Sequence, residues 1–162
     1  MTVAFRDFNA PVAMWHLSVP MMKQSLAQMV KARTIDATHE IPYVAGYSVD
    51  GKIIYIDREL PKQAGPIEIY PTLILHEEVE KSLMQELKLH YLHAHQIAED
   101  AEENAVRLIY GPHGLQRYMD FYKVWIPKIG NRKTYADIPR DLDLAPYEQE
   151  DDKATLKRMG MA

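Results

Sequence analysis

The chain contains no cysteine. That excludes disulfides, thiolate metal sites and a cysteine nucleophile together, so any metal must be held by histidine and carboxylate. Long apolar runs are absent too: none approaches the roughly 18 residues of a membrane span. Positive charge is not in excess. The 19 lysines and arginines stand against 23 acids, a formal net charge of −4, whereas a duplex-DNA binder usually carries a basic stripe. The opening stretch, Met1 to Asn9, holds Arg6 and Asp7 and lacks the apolar core of a signal peptide. The expectation is a cytoplasmic protein that contacts neither nucleic acid nor membrane. With 162 residues, 47% hydrophobic and 26% charged, the composition is globular, and the length suits one domain with its own core.

Glycine and proline are missing from Thr72 to Tyr110, and the pattern there is helical throughout. A single helix of that length would extend about 60 Å, too long for a domain whose radius of gyration should be about 15 Å. A break is therefore expected at Lys88 to Tyr91, where the apolar phase slips. This gives one helix over 71–88 and another over 91–110, closed by Gly111. Upstream, Leu26, Met29 and Val30 place a helix after Pro20 that runs to about Thr38. Asp50-Gly51, between Tyr43–Val49 and Lys52–Asp57, marks a β-hairpin with a two-residue turn. Ile67 to Tyr70 could add a short strand. A further helix is expected over 114–126, stopped by Pro127. The six acids between Asp141 and Asp152 read as a solvated acidic tail. The sequence thus predicts an α+β fold: one domain over 1–140 and an extended tail over 141–162. Trp15, Trp125 and the methionines are expected in the core or an interface.

Four of the seven histidines lie between 76 and 95. His76 and Glu80, four apart on a helix, project from one face about 40° from each other, so the pair can chelate one ion. Glu77 sits beside them. On the next helix Tyr91, His95, Glu99 and Glu102 share a face, while His90 and His93 point elsewhere. Ala94, Ala98, Ala101 and Ala105 form a neighbouring stripe of small side chains that would let two helices approach closely. If the chain does not turn between them, Glu80 and His95 lie about 22 Å apart and cannot share a metal. If it does turn, His76, Glu80 and His95 can meet at one ion.

A hairpin, then a helix with His-Glu, then a helix with a third ligand is the order of the zincin metallopeptidases. Leu75-His76-Glu77-x-x-Glu80 resembles their active-site helix, with Glu80 where a second histidine is usual. Tyr91-x-x-x-His95-x-x-x-Glu99 resembles their ligand helix, and Gly51–Asp57 looks like their edge strand. The combination is similar to small zincin-like proteins of bacterial and phage genomes, over about 43–110. The resemblance implies one zinc per chain on His76, Glu80 and His95, with Glu77 as the general base toward a metal-bound water. It implies Glu99 or Glu102 as support for a ligand histidine, and Tyr91 packed against His95 or donating to the reacting oxygen. It also implies Ile53, Ile54, Tyr55 and Ile56 as a strand that pairs with a peptide substrate. The implied activity is zinc-dependent peptide hydrolysis. The alternative is a non-catalytic metal-binding or protein-interaction module of the same fold. A carboxylate-bridged di-iron bundle is disfavoured, because no two helices carry Glu-x-x-His pairs.

Overall fold

The computed structural model describes residues 18–161. Met1–Asn9 and Trp15 lie outside the described residues. The architecture is α+β: a helix, small sheets, then long helices. Helix α1 spans Val19–Ala32. Ser18 caps it, its hydroxyl accepting from Met21 N, and Pro20 lies in the first turn, where its missing N–H costs nothing. The helix does not reach Thr38 as predicted. Thr34–Asp36 instead form strand β1, because Thr34 and Ile35 find a parallel partner in a strand some 20 residues ahead, which helical periodicity cannot register.

Strands β2 (Ala45–Tyr47) and β3 (Ile53–Ile56) form the expected hairpin. Its turn is longer than two residues. Ser48 N bonds Ile53 O at 2.9 Å and Gly51 N bonds Ser48 O at 2.8 Å, so Val49–Lys52 make the loop. Only Gly51 in that loop has a positive φ, 71°. Asp50 shapes the turn with its side chain, accepting from Ser48 Oγ at 2.7 Å and Lys52 N at 3.0 Å. The sheet order is β1-β3-β2. Two short strands, β4 (Gln63–Ala64) and β5 (Ile67–Glu68), pair separately.

Helix α2 covers Ile69–Gln85 and helix α3 covers Tyr91–Gly130. The expected break is present. Lys88 adopts φ 56° between them, and the His90 ring caps α3 by accepting from Leu92 N. Ala94, Ala98 and Ala105 are fully buried where α3 packs back along α2. Helix α3 is itself two limbs. Gly111 has φ 73° and ψ −178°, and Pro112 starts the second limb with its ring preset for a first turn. Glu102 and Tyr118 would be about 24 Å apart on one straight helix, yet their side chains hydrogen-bond, so the second limb folds back on the first. Pro127 does not stop it: the limb loses one backbone donor there and continues to Gly130.

The segment after residue 140 is not an extended solvated tail. It forms two short helices, α4 (Ala145–Gln149) and α5 (Lys153–Arg158). Leu142, Tyr147 and Met159 are buried in one cluster with Ile41, Tyr55 and Tyr135. Leu142 bridges to Ser48, and Val49 N and Asp143 N bond Asp141 O and Tyr47 O, each at 2.8 Å. The acids concealed this, since they alternate with the apolar residues that dock. The main core lies between the sheet and helices α2 and α3, with Trp125 packed part-buried against it. No helix among the described residues is long and apolar enough to cross a membrane.

Candidate metal centre

Helix α2 turns its Leu73-Ile74-Leu75 run inward, and the next turn carries His76, Glu77 and Glu80 into the interior, all buried. Helix α3 returns alongside and supplies His95, half-buried at the same place. The atoms converge. His76 Nε2 lies 3.1 Å from His95 Nδ1, Glu80 Oε2 lies 2.9 Å from His95 Nδ1, and His76 Nε2 lies 3.4 Å from Glu80 Oε2. Ligands about 2.0–2.1 Å from a tetrahedral zinc sit about 3.3 Å from one another. The triangle therefore has the edge lengths of one tetrahedral face. A group of two imidazoles and one carboxylate so arranged could hold a metal ion, and its nitrogen and oxygen donors suit first-row divalent metals.

Each ligand is held from behind. His76 Nδ1 donates to Glu102 Oε2 at 2.9 Å, and Tyr118 donates its hydroxyl to the other Glu102 oxygen. This fixes the tautomer that leaves His76 Nε2 facing the triangle. Glu99 Oε1 stands 3.4 Å from the outer nitrogen of His95. Glu102 and Glu99 thus each approach a different histidine. Tyr47 donates to Glu80 Oε1 at 3.2 Å. Lys81, buried beside it, reaches Asp143 at 2.8 Å and Val49 O at 3.1 Å and lies over the Tyr47 ring, tying α2 to β2 and the docked C-terminal segment. The Tyr91 hydroxyl lies 3.4 Å from His95 Nδ1. Neither Tyr47 nor Tyr118 was singled out by sequence, and no local pattern marks them. They are tyrosines among other apolar residues until the fold brings them to a carboxylate.

The electrostatics follow from burial of several acids together. Burial pushes the Glu77 carboxyl up to about 8, and the charge of Glu80 adds to the effect. Burial would likewise raise Glu80, but hydrogen bonds from His76 and His95 outweigh it and hold Glu80 below the usual carboxylate range. For His76, burial opposes the charged ring, yet Glu102 and Glu80 prevail and keep its pKa well above the ordinary value. Glu102 is raised by burial despite its bond to His76.

The remaining sequence candidates fall differently. His93 and His90 are exposed. Ile53, Ile54, Tyr55 and Ile56 do not offer a strand edge. They form the central strand, paired to β1 on one side and β2 on the other. Strand β1 lies where helical periodicity extends the first helix, so the sequence does not show that β3 is covered on both sides. The edge strand that flanks the centre is β2: Tyr43 to Tyr47 line a cavity of about 500 Å³ together with His76, Glu77, Glu80, Tyr91 and His95.

Replacing Glu102 by Gln is expected to weaken metal binding about 10–100-fold while leaving the fold intact. Competition titration against a chromophoric zinc chelator measures it, and affinity equal to wild type would remove Glu102 from the ligand support.

No family model, no curated protein and no solved structure matches this chain.

Proposed function

We propose that this protein is a zinc-dependent hydrolase of peptide bonds, built on a zincin-like arrangement of sheet, active-site helix and ligand helix. The observation that carries the reading is the triangle of His76 Nε2, Glu80 Oε2 and His95 Nδ1, with edges of 2.9–3.4 Å, opening on a cavity whose wall includes the buried Glu77. A ligand set of two histidines and one glutamate is one that hydrolytic zinc sites use. Bound there, zinc would supply Lewis acidity, lowering the pKa of a coordinated water to about 7 and polarising a carbonyl.

The chain's own residues supply the rest. Glu77 shares the helix and the cavity with two of the three residues of the triangle, and its side chain has no hydrogen-bond partner among the described residues; the positive charge of a bound metal would draw its raised pKa back down, leaving a carboxylate that takes a proton and returns it to the leaving amine. Glu102 and Tyr118 hold His76 in one tautomer, Glu99 flanks His95, and Tyr47 holds the outer oxygen of Glu80. A peptide is favoured because a sheet edge borders the site. Segment 141–143 covers the far end of β2, while Ala45 and Gly46, toward its start, line the cavity and can meet an extended backbone.

The test is metal content by elemental mass spectrometry of untagged protein purified without chelators. The expected result is about one zinc per chain, lost in His76→Ala and in His95→Ala. Wild-type protein that stays free of metal after zinc is added back would overturn the reading.

A further inference from the structure

Resting on the peptidase reading, we infer that the cavity beside the metal centre is a specificity pocket for a bulky apolar side chain of the substrate. Two walls make it. One is a single face of the second limb of α3, where Tyr118, Met119, Tyr122 and Ile126 recur at helical spacing. The other is formed by Tyr43 and Tyr147, whose rings stack at 4.5 Å.

Three features distinguish this pocket from leftover core space. First, its apolar residues are not all used internally. Met119 is 40% exposed and Ile126 52% exposed, although both border a cavity of about 500 Å³, a size within the usual range of about 300–1,000 Å³ for ligand pockets. Second, the backbone at the pocket is strained. Tyr43 and Val44 have φ of 61° and 65°, a region that a β-branched residue such as valine rarely enters. The strain is held in place by the stacking on Tyr147 and by the Tyr43 hydroxyl donating to Asp152 at 2.6 Å. Third, the pocket is continuous with the metal centre: Tyr118, on its wall, donates to Glu102, which accepts from His76. A side chain seated here belongs to a residue adjoining the scissile bond.

Charge refines the class. Glu77, Glu80, Glu99, Glu102, Glu103 and Asp143 line the cavity against Lys123, its one lysine or arginine among the described residues. An acidic side chain would be repelled there, and an aromatic or long aliphatic one would gain by leaving water. The expected order is Phe, Leu and Met first, Ala next, Asp and Glu last.

The experiment reads binding as well as turnover. Protein labelled at methionine methyls is titrated with N-acetyl-phenylalaninamide or N-acetyl-aspartamide after chelator treatment and again with zinc. The expected result is a saturable shift of the Met119 methyl with the phenylalanine probe in both states and none with the aspartate probe. Cleavage of a peptide mixture, read by mass spectrometry, should favour apolar residues at one subsite. Ile126→Glu, a change at an exposed position, should lower the preference for Phe over Ala about tenfold or more. No shift at Met119, or equal shifts with both probes, overturns the pocket. A Phe-selective shift in a protein that holds no zinc and cleaves nothing upholds the pocket and overturns the peptidase reading instead.

Discussion

Glu77→Gln should keep one zinc per chain and lose hydrolysis, with kcat falling about 10²–10⁴-fold. The argument rests on position. Glu77 follows His76 on α2 and precedes Glu80 by three residues, so it projects beside the ligand triangle without being part of it. Its carboxylate is buried on the cavity wall. The amide has the same shape and no charge, so the ligands and the core around them stay as they are. What disappears is the capacity to accept a proton. Metal content, far-ultraviolet circular dichroism and peptide cleavage, measured on one preparation, separate these effects. Hydrolysis that survives at the wild-type rate would remove Glu77 from the chemistry. A variant that loses zinc would make it a structural support for the ligands.

Asp57→Ala should destabilise the protein by about 3–5 kcal/mol, the cost of leaving one partner of a buried ion pair uncompensated. That is a large share of the roughly 5–15 kcal/mol that holds an ordinary domain folded. Asp57 is fully buried. Its two oxygens accept from both terminal nitrogens of Arg132, from Ile41 N at 2.9 Å and from Glu59 N at 2.9 Å. Removing it leaves two amide donors unpaired and Arg132 with Glu59, at 3.2 Å, as its remaining carboxylate partner. The damage would also reach the candidate site, because Arg132 lies just beyond the end of α3. The pair fastens the second limb, with its cavity-lining face, to the end of β3. Urea unfolding at equilibrium measures the loss as a lower midpoint with an unchanged slope. A midpoint within the error of wild type would show that the pair contributes nothing net.

The C-terminal segment illustrates how composition misleads when packing is decided at long range. Its six acids suggested solvation, yet Leu142, Tyr147 and Met159 are placed between them and fill a cluster built on Ile41 and Tyr55. The same segment borders the candidate centre. Gln149 Oε1 accepts from Tyr91 N at 2.7 Å, at the start of the helix that carries His95, and Arg158 bonds the carbonyls of Gly130 and Arg132. Residues expected to be peripheral therefore anchor both ends of α3.

What the sequence by itself determined is local. The four-residue spacing of His76 and Glu80 puts both on one helical face. The slip of the apolar phase near Lys88 predicts the turn that lets α3 return. Gly111 breaks the long helix because φ 73° combined with ψ −178° is open essentially to glycine alone, and Asp50-Gly51 marks the hairpin through its own backbone preferences. Each of these rests on interactions within a few residues, so each is written in a short window.

Only the tertiary structure decided the rest. It made β3 the centre of the sheet and β2 the strand beside the cavity, since a three-residue β1 has no periodicity to read and exists through its pairing. It divided the two carboxylates of α3, Glu102 to His76 and Glu99 to His95, because helical phase places both on one face and the packing against α2 chooses between them. It brought Tyr47 to Glu80, Tyr118 to Glu102 and Arg132 to Asp57 across 33, 16 and 75 residues of chain. Contacts at such separations depend on how whole helices and strands stack to bury apolar surface, and that energy belongs to the assembled core and to no single stretch of sequence.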